Sequence, residues 1–216
     1  MQKLNNLLER FQYTRSGGVF GMLSITSGLI GDLIALVLFP EYNFLKRSVS
    51  FLCKGPGGAY FQIGTTLSGI FAIFFVLYVI RSFDDDTVSK PAKKWALIFA
   101  LISCVTFINL GIFCGSNPIV DLIHGVSAVI SWISGICYIT LYSVFILKDS
   151  KYSKFLAYIG FTVSISLSLM VLMFFLYFLP GLQNVVLILP LWEWIDTFAL
   201  TTWYLAVSLY LLFKKI

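Results

Sequence analysis

"GVFGMLSITSGLIGDLIALVLF" occupies residues 18–39 and holds one ionisable side chain, Asp32. A helix needs roughly 20 consecutive apolar residues to cross the hydrocarbon core of a bilayer. The run Gly18–Phe39 meets that length, so it reads as a membrane span. Within and beside it, Gly17, Gly21, Ser24, Gly28, Gly31 and Ala35 recur at intervals of four, three, four, three and four. That spacing lays a stripe of small residues down one helix face. Lipid gives helices no hydrophobic incentive to associate, so close backbone approach along such stripes is what holds a bundle together. The stretch therefore predicts a spanning helix packed tightly by one face.

Working outward, five more runs have the same character: Ala59–Ile80, Trp95–Cys114, Ile119–Leu147, Phe155–Leu179 and Leu191–Phe213. Small residues continue the packing pattern at Gly64 and Ser68, and at Ser127, Ser131 and Gly135. The chain of 216 residues is 59% hydrophobic and 12% charged, with mean hydropathy +0.92. A soluble domain normally carries about 25% charged residues. Twenty-one Phe and eleven Tyr exceed what one water-soluble core of this length could hide. The expected fold is all-α, a polytopic integral membrane protein whose residues 1–216 form a single domain of six transmembrane helices.

The net charge of +5 does not imply a nucleic-acid partner, because the basic residues lie between apolar runs and form no patch. They divide by side instead. Lys3, Arg10, Arg15, Arg81, Lys90, Lys93, Lys94, Lys148, Lys151, Lys154, Lys214 and Lys215 fall on one side, against Lys46, Arg47 and Lys54 on the other. The positive-inside rule then makes both termini cytoplasmic in a multi-pass cell-membrane protein. Residues 1–16 lack the apolar core and cleavage site of a signal peptide. Leu4, Leu7, Leu8 and Phe11 follow an amphipathic template, which predicts a helix lying on the inner surface. Residues 40–58 form the long extracytoplasmic loop. The cytoplasmic run "FDDDTVSKPAKK", residues 83–94, carries three aspartates that are expected to be solvated.

Of four cysteines, Cys104 and Cys137 fall inside spans and read as small fillers. Cys53 and Cys114 both fall on the oxidising side, which makes them a candidate disulfide.

"NPIVDLIH", residues 117–124, and "LPLWEWID", residues 189–196, share a skeleton of proline, acid and a second ionisable group. Pro118 and Pro190 suit a first helical turn, and Asp121 and Glu193 then meet the positive end of the helix dipole. The dipole does not account for His124 and Asp196, which come about 9 Å below each proline at 1.5 Å per residue. Asp32 and Asn109 reach a similar depth of about 10 Å in the first and third spans, as do Thr65 and Thr66 in the second. Ionisable groups in hydrocarbon turn inward, pair or line water. Asp32, Asn109, His124, Glu193 and Asp196 thus predict a polar layer around a cleft. Lys46, Arg47 and Trp194 would form its basic and aromatic rim. Such a cleft suits an amphiphile, with membrane lipids as the natural partners.

Three stretches carry a family resemblance: "FPEYNFLKRSVSFLCKGPGGAYFQIG", "DLIHGVSAVISWISGICY" and "LWEWIDTFALTTWYLAVSLY". They resemble the DRAM/Frag/Sfk family of six-span membrane proteins and its prokaryotic relatives. By residue the matches are Pro40, Ser50, His124, Glu193 and Trp194. Phe51 stands where that family commonly has an acid, so no acidic role carries over there. The resemblance implies a lipid-related or regulatory membrane protein.

Three functions are compatible with these features. One is a lipid-associated protein that binds or presents an amphiphile in an outer cleft. The second is a lipid-modifying enzyme, with His124, Asp121, Glu193 and Asp196 as candidate catalytic groups. The third is a proton-coupled transporter using Asp32, His124 and Asp196. A sole histidine falls short of the usual zinc ligand set, and no nucleophile-elbow motif is present. No metal and no cofactor are expected, and association with itself or another membrane protein stays open.

Overall fold

The computed structural model describes residues 2–182 and 187–213, with side chains from residue 15 onward. The described chain is all-α. Six helices, α1 (Gln2–Val37), α2 (Gly58–Ser82), α3 (Lys90–Ile112), α4 (Pro118–Lys148), α5 (Lys154–Tyr177) and α6 (Leu189–Phe213), account for nearly all of it. A short 3₁₀ helix, Val49–Lys54, sits between α1 and α2. All six long helices are apolar enough to cross a membrane. The stretch expected to lie on the membrane surface is helical and continuous with α1. The side chains of residues 1–14, and Lys214 and Lys215, lie outside the described residues.

Local signals set several helix ends. Asn117 caps α4 by accepting a 2.9 Å hydrogen bond from Ile119 N–H. Pro118 then opens the helix where its missing N–H is harmless. Pro91 does the same for α3.

Each helix packs on its neighbours in sequence, and α6 returns against α1, which closes a ring. The α1–α6 seam is close at the terminal end. A Cβ on Gly18 would fall 2.6 Å from Leu212 Cγ. Backbone meets backbone between α1 and α2. A Cβ on Gly31 would lie 2.7 Å from the Tyr60 carbonyl oxygen and 2.8 Å from Gly64 Cα. One on Gly64 would lie 2.7 Å from the Ser27 carbonyl oxygen. Only hydrogen fits at either position, because the opposing atoms are backbone and cannot swing away.

Serines add polar links along the same seams. Ser24 Oγ donates to the Ser68 carbonyl at 2.9 Å between α1 and α2. Ser103 Oγ donates to the Ser131 carbonyl at 3.1 Å between α3 and α4. The outer faces carry Leu33, Ile63, Phe74, Val105, Ile165 and Leu172, all exposed. That is the surface that hydrocarbon would cover.

The ring is solid in the half nearest the termini. Phe75, Phe83, Tyr138, Tyr142 and Trp203 are essentially inaccessible there. Tyr142 OH reaches from α4 to the Val76 carbonyl of α2 at 3.1 Å, and Tyr138 OH lies 3.2 Å from Tyr204 OH of α6. At the end itself, two loops interlock. Lys151 Nζ pairs with Asp84 at 2.6 Å and with the buried Asp149 at 3.6 Å. Tyr152 hydrogen-bonds Ser82. Asp84 is half-buried by its pairing with Lys151, whereas Asp85 and Asp86 are exposed, as the sequence suggested. Asp85 pairs with Lys93 at 2.8 Å, whose ammonium holds that carboxyl below its ordinary range.

The glycines give a direct test. Gly125 of α4 lies against open space, with nothing within 4 Å of a built Cβ. Gly64→Ala should destabilise the protein by about 1–3 kcal/mol through overpacking. Gly125→Ala should be neutral or stabilising by about 0.5–1 kcal/mol. Thermal unfolding in detergent, followed by tryptophan fluorescence, would read both.

Candidate functional site

Where the tyrosine layer ends, the ring does not fill. A cavity of about 390 Å³ occupies the other half, with every one of the six helices contributing to its wall. Small residues make the room, among them Gly28, Gly125, Ala128 and Ser131. Ile25, Leu29, Phe107, Leu167 and Met170 give it apolar sides, and Tyr138 and Tyr204 form its floor.

The 3₁₀ helix Val49–Lys54 lies across the top as a strap. Val49, Leu52 and Cys53 turn their side chains down and cluster with Ala35, Phe61 and Trp194. Three ties hold it. A disulfide joins Cys53 to Cys114 just beyond α3, with Cα atoms 6.0 Å apart. Ser50 N–H donates to Glu193 Oε1 of α6 at 2.9 Å. Tyr42 OH donates to the Ser48 carbonyl at 2.6 Å and accepts from Trp194 Nε1 at 3.0 Å. Burial pushes the Tyr42 phenol above its ordinary pKa, only partly opposed by the Trp194 hydrogen bond, so it stays a neutral donor.

Beneath the strap the cavity wall carries Asp32, His124, Glu193 and Asp196 together. Four residues from α1, α4 and α6, far apart in sequence, thus share one chamber. His124 Nδ1–H donates to the Phe113 carbonyl at 3.0 Å, which fixes its tautomer. Glu193 faces the strap, with the hydroxyls of Ser48 and Ser50 also turned to its carboxylate. Asp196 is only 5% exposed. Its Oδ1 accepts from Ser166 Oγ of α5, while its Oδ2 is buried with no partner. Trp192 Nε1 donates to the Ser166 carbonyl at 3.2 Å, tying the same turn of α5 to α6.

Other residues named from the sequence stand elsewhere. Asn109 is half-buried and off the cavity wall. Asp121 is exposed and pairs with Lys54 at 2.9 Å on the rim. Trp194 is buried under the strap. Arg47 lies over the Phe39 and Phe51 rings at 5.0 and 4.7 Å, and Lys46 is exposed. The basic rim thus faces away from the chamber, and among the described residues no lysine or arginine lines it. Ser166 and the tyrosine floor were not singled out in the sequence. The floor left a trace, since Tyr138 and Tyr142 stand four apart on one face of α4. Ser166 left none, because its role depends on which helix neighbours α6. No group of three His, Cys, Asp or Glu among the described residues is placed to hold a metal.

Fold and site together define a multi-pass membrane protein, a six-helix bundle closed around a capped cavity. The chain matches the model of a family described as "Protein of unknown function (DUF998)" over residues 22–210, from within α1 to near the end of α6, and it belongs to that family. Comparison with curated proteins and with solved structures finds no match.

The strap offers a measurable consequence. Glu193→Ala should speed amide hydrogen exchange of Ser50 about 10- to 100-fold, the loss expected for a hydrogen bond to a charged group worth about 1.5–3 kcal/mol. Glu193→Gln keeps an acceptor and should stay near wild type.

Proposed function

We propose that the protein is a lipid-associated cell-membrane protein that holds one amphiphile in the capped cavity, its polar end under the strap and its apolar part toward the tyrosine floor. The observation that carries this is the chamber itself. It is apolar on its sides, ionisable at one level, and in the range of about 300–1,000 Å³ typical of sites for a single small molecule. A bundle built only for packing would fill such a space, because lost contacts are costly.

Binding is favoured over hydrolysis by how the polar groups are used. The Ser50 hydroxyl, which as a nucleophile would need His124, is turned to Ser48 at 3.0 Å and to Glu193, and the Ser50 amide secures the strap to Glu193. We place both termini in the cytoplasm, on the segregation of Lys and Arg. The strap then faces the outer leaflet. Membership of a common superfamily with the DRAM/Frag/Sfk proteins is part of the same proposal, and it rests on the quoted motifs around Ser50, His124 and Glu193-Trp194.

Gly125 provides the test. Leucine there extends into the chamber from a position where the first carbon meets nothing. Native mass spectrometry of the full chain in mild detergent should show one retained amphiphile, reduced at least tenfold in Gly125→Leu and unchanged in Gly125→Ala. Equal retention in the leucine variant would place the lipid outside the cavity and overturn the reading. Orientation is checked separately: a green fluorescent protein fused after Ile216 should fluoresce, and a periplasmic phosphatase at the same point should stay inactive.

A further inference from the structure

The polar lining of the chamber is one-sided. Asp32, Glu193 and Asp196 face it, and Glu193 stands within electrostatic reach of both aspartates. The nearest basic residues are already engaged or turned away. Lys54 pairs with Asp121, and Arg47 lies over two rings. Among the described residues, His124 is the one wall side chain that can carry a positive charge, and its Nδ1–H is given to the Phe113 carbonyl.

A second observation is independent of that count. Asp196 Oδ2 is buried and lacks any hydrogen-bond partner, on a side chain that lines the cavity. Its companion oxygen is held by Ser166 of α5, which fixes the carboxyl. Buried polar groups are satisfied in the great majority of folded proteins, and an exception at a cavity wall points to a missing donor. As a carboxylate, Asp196 only accepts hydrogen bonds, so the group that would meet its Oδ2 is a donor.

Resting on the reading of the chamber as an amphiphile site, we infer that its ligand is a single-chain amphiphile with a protonated primary amine, the ammonium seated among Asp196, Glu193 and Asp32. An ammonium brings three donors and the opposite charge, so it meets the free oxygen and offsets the acids in one step. A phosphate or carboxylate head would add like charge to a low-dielectric chamber, where repulsion is strong. A quaternary ammonium brings the charge but no N–H, and leaves Asp196 Oδ2 unmet. A neutral alcohol donates once and leaves the charge uncompensated. The volume of about 390 Å³ sits near the low end of small-molecule sites, which suits one chain better than two.

The test uses the purified full chain in mild detergent with four probes of one chain length: decylamine hydrochloride, decyltrimethylammonium, decanol and decanoate. The rise in thermal midpoint against probe concentration gives half-saturation for each. Decylamine should half-saturate at least tenfold below the other three. Asp196→Asn should remove that advantage, bringing decylamine to within about threefold of decanol, with a cooperative thermal transition showing that the variant is folded. If Asp196→Asn does not fold, Asp32→Asn is required to weaken decylamine severalfold relative to decanol. Gly125→Leu should abolish the response to every probe. Equal affinity for decylamine and decanol, both lost in Gly125→Leu, would overturn the amine and leave the cavity site standing. Preference for decanoate or decyltrimethylammonium would overturn it as well. Responses indifferent to Gly125→Leu would remove both readings together.

Discussion

Hydrocarbon supplies no hydrogen bonds, and the whole architecture follows from that constraint. Each of the six spans satisfies its backbone internally as a helix, and polar side chains left over must find partners within the bundle. Ser24 meets Ser68 and Ser103 meets Ser131 across helix seams. These links are modest individually, about 0.6 kcal/mol on average for hydrogen bonds in one membrane protein. What fixes the ring is their combination with glycine contacts such as Gly31 on Gly64, where two backbones touch. Acids cannot sit on the lipid side of such a ring, so Asp32, Glu193 and Asp196 have one direction left.

Packing and emptiness come from the same kind of residue placed differently. Glycines opposite backbone, as at Gly18 and Gly31, bring helices together. Gly125 faces nothing and holds space open. The change occurs roughly midway along the bundle, where tyrosines and Trp203 give way to Ala128, Ser131 and Gly28. Over the open half the chain cannot rely on packing alone, and the strap is held by a disulfide, a carboxylate and a buried phenol.

The spans were legible in the sequence because hydropathy needs no knowledge of neighbours. Pro118 also marked the start of α4 locally. Depth could be counted at 1.5 Å per residue, which is why Asp32, His124 and Asp196 could be assigned to one level without a structure. Rotation could not be counted in that way. Asn109 has the right depth and faces off the chamber wall. Arg47 and Lys46 have the right loop, yet one lies on Phe39 and Phe51 and the other in solvent. Ser166 entered through the packing of α5 on α6, a long-range fact with no local signature. Asp84 likewise pairs with Lys151 of another loop, so its partial burial could not be judged from composition.

The hydroxyl layer of Tyr138, Tyr142 and Tyr204 closes the chamber on the side of the termini. Nothing of appreciable size crosses it while those rings stay interlocked. A conduit along the bundle axis would require the most tightly packed stratum of the molecule to come apart.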